Sequence, residues 1–209
     1  MSVDGIIFDM DGTLWNSIKG ICGTWKEVLS DYPQIKKEVT YEDMVSCMGL
    51  QIRDIGRKLF PEVDEKLSTH LMYECCEREQ VYLAKHGGVL YPDIEEVLSK
   101  LSKKYKLFIV SNCYQGYIDA FFTAHKLKKY FTDSESAGRT GLTKGENNKL
   151  IIKRNNLKNA VYVGDTRGDR EAARVAGIPF VFAKYGFGDV KDYDYAIDSF
   201  KDLLKLAEV

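Results

Sequence analysis

Several things are scarce in this chain of 209 residues. No apolar run approaches the ~20 residues that a membrane-crossing helix needs, and the N-terminus lacks a basic-then-apolar export pattern. Net charge is formally -1, from 30 basic and 31 acidic side chains, so neither a basic nucleic-acid surface nor an acidic tail is indicated. The three histidines, His70, His86 and His125, have no metal-ligand spacing with each other or with cysteine. Cys22, Cys47, Cys75, Cys76 and Cys113 contain no C-x-x-C pair, and their odd number argues for free thiols in a reducing compartment. Internal repeats and low-complexity tracts are missing as well. These absences point to a cytoplasmic protein with neither a nucleic-acid nor a membrane partner; a monomer or weak homodimer is the expectation. With 44% hydrophobic and 29% charged residues, the chain has an ordinary globular balance.

What is present is organised around Gly5-Ile6-Ile7-Phe8-Asp9-Met10-Asp11-Gly12-Thr13-Leu14. A short apolar run ends in two carboxylates two residues apart, followed by a Gly-Thr turn. The run reads as a buried parallel strand, open only at its carboxyl end, where ligands of α/β sheets bind. Asp9 and Asp11 have the same parity, so in extended chain both point the same way. Two anions aimed into one crevice call for a cation between them.

From about Ser17 to His86 the periodicity is helical. Ile18, Ile21, Cys22, Trp25, Val28 and Leu29 make an apolar stripe, and Pro33 prevents its continuation. Thr40-Tyr41-Glu42-Asp43 has the spacing of a capping box. A short helix ending at Pro61 follows the break at Gly49, and a longer one runs from Asp64 to about Lys85. Residues 16–87 therefore read as a small inserted helical domain, with residues 1–15 and 88–209 forming the core.

Strands and helices then alternate. Pro92 is expected in the first turn of a helix carrying Ile94, Val97, Leu98 and Leu101. Strands are expected over 107–110, 160–163, 180–183 and, weakly, 195–197; residues 131–137 are ambiguous. Thr143-Lys144-Gly145-Glu146 opens another helix with a capping box. Such alternation predicts an α/β fold, a doubly wound, mostly parallel sheet with helices on both faces. Three apolar strands end in polar residues, at Asp9-Met10-Asp11, Ser111-Asn112 and Gly164-Asp165, and a parallel sheet brings all three ends to one edge.

In order, these segments resemble the motifs of the haloacid dehalogenase (HAD) superfamily in its two-aspartate phosphatase form. Asp9-Met10-Asp11-Gly12-Thr13 is similar to the first motif, Ser111 to the second, Lys144 to the third, and Gly164-Asp165-Thr166-Arg167-Gly168-Asp169 to the fourth. The helical insertion after the first motif resembles the cap of the branch holding phosphoglycolate phosphatase and β-phosphoglucomutase. One departure is Gly145, where many relatives carry proline.

The resemblance implies a Rossmann-like core and a phosphatase for a small phosphorylated metabolite. Asp9 would be the nucleophile, forming an aspartyl-phosphate, and Asp11 the general acid and base. Mg²⁺ would be held by Asp9, the Asp11 backbone carbonyl, Asp165 and Asp169. Ser111 and Lys144 would position and neutralise the phosphoryl group, with Gly12, Thr13 and Asn112 also near the phosphate. Arg53 is the candidate substrate contact from the insertion, with Trp15 and Lys85 as further candidates.

Each residue also has a plainer reading. Asp11 could serve only turn chemistry; Asp165, Asp169 and Ser111 could cap helices; Lys144 could be an exposed helix residue, with Lys149 as its substitute. Among functions, a phosphomutase shares the same aspartyl-phosphate, and a non-catalytic binding protein could keep the fold. A dehalogenase is disfavoured by the second aspartate, and a response-regulator receiver by the helical insertion.

Overall fold

The structure, a computed structural model, describes residues 3–208. Gly5–Phe8 forms β1, at the centre of a six-stranded sheet. Trp15–Asn16 (β2) pairs antiparallel with Val89–Leu90 (β3), making a two-stranded ribbon separate from the main sheet. Four helices lie between them: α1 (Ile18–Ser30), α2 (Tyr41–Val45), α3 (Ile52–Leu59) and α4 (Glu65–His86). The rest runs α5 (Ile94–Leu101), β4 (Lys106–Ser111), α6 (Tyr117–His125), β5 (Asp133–Ser136), α7 (Ala137–Thr140) and α8 (Lys144–Arg154). It closes with β6 (Ala160–Gly164), α9 (Arg167–Ala176), β7 (Phe180–Ala183), β8 (Tyr195–Ile197) and α10 (Asp202–Leu206).

The sheet order is β5-β4-β1-β6-β7-β8, and every pairing is parallel. Alternation along the strands sorts the core onto two faces. Ile6, Phe8, Leu107, Ile109, Val161 and Val163 belong to one cluster, with side chains of α5, α6 and α10. Ile7, Phe108, Val110, Tyr162 and Phe180 belong to the other, against Ile151 of α8 and Ala173 of α9. Both faces being covered explains why these strands read as continuous apolar runs. Each such side chain contributes about 1.5–3 kcal/mol by leaving water.

Local signals place the helix starts. Thr40 and Asp43, Thr143 and Glu146, and Thr166 and Asp169 each form a reciprocal capping box. Asp64 caps α4 by accepting from the amides of Lys66 and Leu67, both at 3.1 Å.

Two details differ from expectation. Asp93, not a residue before Pro92, is the N-cap of α5, in a left-handed conformation that leaves Pro92 in the preceding turn. The ambiguous polar segment is a strand, β5, whose Asp133 and Glu135 are neutralised by Arg154, and Glu135 also by Arg139. Among the described residues, no helix is long and apolar enough to cross a membrane.

Candidate active site

The register of β1 with β4 and β6 brings three strand ends together. Phe8 lies beside Ile109 and Val163, so Asp9, Ser111 and Asp165 emerge at the same edge. The Asp9 amide still donates to the Val163 carbonyl at 2.9 Å, holding the first carboxylate against the sheet. Gly12 makes the turn possible: its φ is +85°, and a Cβ there would fall 2.1 Å from Asp165 Oδ2.

Asp9, Asp165 and Asp169 are all buried, with carboxylate oxygens within 4.8 Å of one another. Lys144, only 4% exposed at the start of α8, reaches into this cluster. Its Nζ donates to Asp169 Oδ1 at 2.7 Å and lies 2.9 Å from Asp9 Oδ1. The second contact is an ion pair by distance without hydrogen-bond alignment, so this buried Asp9 oxygen keeps an unused acceptor.

One lysine among three carboxylates leaves an excess of negative charge. Burial and then the Asp169 charge push Asp9 up to about 7, against the pull of Lys144. Burial, Asp169 and Asp9 raise Asp165 well above the usual carboxylate range. For Lys144, burial works downward, but Asp169 and Asp9 carry it above the ordinary lysine value. Buried oxygen donors carrying surplus charge suit a hard divalent cation.

Asp169 has further duties. Its Oδ2 accepts from the Thr166 amide at 2.9 Å and from the Thr166 hydroxyl at 2.6 Å. The Tyr162 hydroxyl lies 3.3 Å from Oδ1 and 2.8 Å from the Val110 carbonyl. Capping a helix and steering Lys144 are thus done by one carboxylate.

Asp11 is turned away from that cluster. Its Oδ1 accepts from Ser17 at 2.5 Å and from Tyr117 at 2.9 Å, and the two hydroxyls are 2.8 Å apart. Burial raises its pKa, while these hydrogen bonds oppose the rise. A protonated carboxyl held at the mouth of a cleft can donate a proton there.

The whole chain can now be placed. Residues 6–183 match the family model described as haloacid dehalogenase-like hydrolase. The chain belongs to that family. Phosphoglycolate phosphatase of Salmonella typhimurium is 26% identical over 231 residues, covering 97% of this chain and 92% of its own. The enzyme of the same name from Escherichia coli K12 is 25% identical, with coverage of 97% and 91%. A crystal structure of a predicted phosphoglycolate phosphatase from Haemophilus somnus aligns with a TM-score of 0.86 at 21% identity, covering 99% of each chain. A predicted phosphatase from Clostridium acetobutylicum gives 0.81 at 23% identity, again over 99% of each chain. The two structural likenesses bear on the fold.

Polar residues gather at the carboxyl ends of β1, β4 and β6. Asp9, Asp11, Ser111, Asn112 and Lys144 line one cleft, roofed by side chains from α1–α4. Lys144 is buried and Lys149 exposed, so the substitute is not needed. Ser111 accepts from the Cys113 amide at 3.3 Å and caps no helix, because α6 starts at Tyr117. Asn112 donates to the Gly49 carbonyl at 2.8 Å, tying the core to the inserted helices.

Other candidates land elsewhere. The Gly12 amide is given to the Trp15 carbonyl at 2.9 Å, so it is not a spare phosphate donor. Thr13 is buried, and its carbonyl accepts from Tyr185 at 2.9 Å, a bracing arrangement. Trp15 is fully buried among Tyr117, Phe121 and His125. Arg53 is exposed and lines a separate cavity with Arg57, Phe60 and Met72; Lys85 is exposed at the end of α4. Ser17, Tyr117 and Tyr162 were missed in the sequence, where a lone hydroxyl carries no positional signal.

Proposed function

We propose that this protein is a Mg²⁺-dependent phosphatase acting on a small phosphorylated metabolite through an aspartyl-phosphate. The observation that carries the reading is the pairing of two differently held carboxylates in one cleft. Asp9 lies beside Lys144, while Asp11, raised by burial, is held by the Ser17 and Tyr117 hydroxyls. Asp9 attacks phosphorus, the ester P–O bond breaks, and Asp11 gives its proton to the departing alkoxide. Asp11 then takes a proton from water, which attacks the same phosphorus, releasing phosphate and regenerating Asp9. Lys144 and the Ser111 hydroxyl hold phosphoryl oxygens during both steps.

Asp9, Asp165 and the Asp11 carbonyl would hold the metal, with Asp169 beside them orienting Lys144. The cation, when bound, screens the repulsion between carboxylate and phosphate. Residues 16–87 act as a cap over a core of residues 1–15 and 88–209. The cleft between them has a volume of about 70 Å³. A cap that swings open would admit a metabolite to this narrow cleft. The test is phosphate release from p-nitrophenyl phosphate and a panel of metabolites, with Mg²⁺ and with EDTA. Metal-dependent release is expected; no release from any ester with Mg²⁺ bound would remove the reading.

The metal also predicts a pH-dependent stability. Asp9 and Asp165 have raised pKa values, so the folded state keeps protons that the unfolded chain loses near pH 4. Their contribution is present at low pH and is lost as pH rises toward and through about 7. Without metal, Tm is therefore expected to fall between pH 5.5 and 8. Mg²⁺ at 100 times its Kd adds about 2.7 kcal/mol. That is ~5–10 °C for a chain of this size. At pH 5.5 the same concentration gives a smaller gain, because protons occupy the oxygens. Equal gains at both pH values in scanning calorimetry would contradict this metal assignment.

A further inference from the structure

Glu79 lies midway along α4, 6% exposed, and lines the same cleft as Asp9, Asp11, Ser111 and Lys144. No step proposed above uses it. Burial and the nearby Asp11 charge push this carboxyl up to about 8, against the pull of its hydrogen bond from Trp25. Trp25 of α1 donates its indole N–H to Glu79 Oε2 at 2.6 Å, which fixes the side chain across the interface of the two helices. Its other oxygen has no protein hydrogen-bond partner among the described residues. Lys144 is the one cation among the described residues lining the cleft, and its ammonium is engaged by Asp169 and Asp9. Around Glu79 the walls are apolar or weakly polar, with Ile21, Met44, Ile55 and Cys76.

We propose that Glu79, held by Trp25, is the specificity-determining contact of this cleft. It accepts a hydrogen bond from a hydroxyl or ammonium group on the leaving alcohol and, when ionised, turns away esters whose leaving group carries a carboxylate. The proposal rests on the phosphatase reading and narrows its substrate class. An ammonium pairs with the free oxygen directly, and a hydroxyl donates to it. Above about pH 8, where Glu79 is ionised, a substrate carboxylate meets a second negative charge in a dry space. This chain therefore parts from the relatives named for phosphoglycolate, whose substrate carries a carboxylate.

The test uses four two-carbon phosphate esters that differ only at the far end: 2-aminoethyl, 2-hydroxyethyl, ethyl and carboxymethyl (phosphoglycolate). Binding is measured by calorimetry with Mg²⁺ on full-length Asp9→Asn, so that the result does not depend on turnover. The titration is run at pH 9, because burial pushes Glu79 up to about 8 and it is ionised above that value. The aminoethyl and hydroxyethyl esters are expected to bind at least tenfold more tightly than phosphoglycolate. Adding Glu79→Gln should bring all four within about threefold while leaving ethyl phosphate within twofold of its starting affinity.

Phosphoglycolate binding as tightly as the hydroxyethyl ester would overturn the proposal, as would an order untouched by Glu79→Gln. If that variant loses ethyl phosphate altogether, the order in Asp9→Asn alone decides. A wild type that turns over none of the four, with the binding order intact, counts against the phosphatase reading and leaves Glu79 in its role.

Discussion

Replacing Asp9 by asparagine is expected to abolish phosphate release while making the metal-free protein more stable. The two effects have opposite signs because one group serves them both. Asp9 is 3% exposed, and its pKa of about 7 reports burial and the neighbouring charge of Asp169. An ionised Asp9 at pH 8 is thus a cost to the empty fold, which an amide of the same shape does not carry. The gain is of order 1–2 kcal/mol, a net effect in which the attraction to Lys144 is already included. Activity moves the other way. Without the attacking oxygen no acyl phosphate forms, and kcat falls roughly 10⁴-fold or more, about 5 kcal/mol of barrier lowering. Urea unfolding in EDTA at pH 8, beside a phosphate-release assay with Mg²⁺, reads both. A residual rate within tenfold of wild type would place the nucleophile elsewhere, and a loss of stability would mean that Lys144 outweighs the repulsion.

Lys144→Met should be damaging in both respects. Methionine keeps most of the length and removes the charge, leaving Asp9, Asp165 and Asp169 packed together with no counter-ion from the protein. Removing one partner of a buried ion pair costs about 3–5 kcal/mol. For a chain of this size that is on the order of 10 °C in Tm. Protonation of the carboxylates recovers part of the loss, so the deficit shrinks toward pH 5. Combining Lys144→Met with Asp9→Asn should recover more, because one of the stranded charges is gone. Full wild-type stability in Lys144→Met at pH 8 would mean that the lysine is not the internal counter-charge.

Much of this arrangement could be read from the residues, and the reasons differ from place to place. Strand ends at Asp9, Ser111 and Asp165 were legible because an apolar run that stops in polar residues has one natural place in a parallel sheet. The boxes at Thr40 and Thr143 were legible because their chemistry spans only three residues, whereas the box at Thr166 emerges only in the structure. By contrast, β5 reads Asp-Ser-Glu-Ser, and its strand state depends on pairing with β4 and on Arg139 and Arg154, contributed from further along the chain. Tyr117 lies 106 residues from the Asp11 carboxylate that it holds, a contact no local pattern encodes. Glu79 looks like one acid among several in Glu74–Gln80, and it is buried because α1 covers its side of α4. Arg53 was a reasonable guess from charge alone, but its position on α3 directs it to a different cavity.

The ribbon formed by Trp15–Asn16 and Val89–Leu90 has a consequence for how a two-part pocket is assembled. The chain crosses between core and insertion twice, and the two crossings are hydrogen-bonded to each other. Glu79 and Trp25 are therefore tethered near the carboxylates by a short, stiff pair of strands. In the language of linked binding, they are present at a high effective concentration, set by the ribbon rather than by the amount of protein. On the proposed cap reading, closing over a substrate would cost the entropy of one restricted swing, far below that of bringing two separate bodies together.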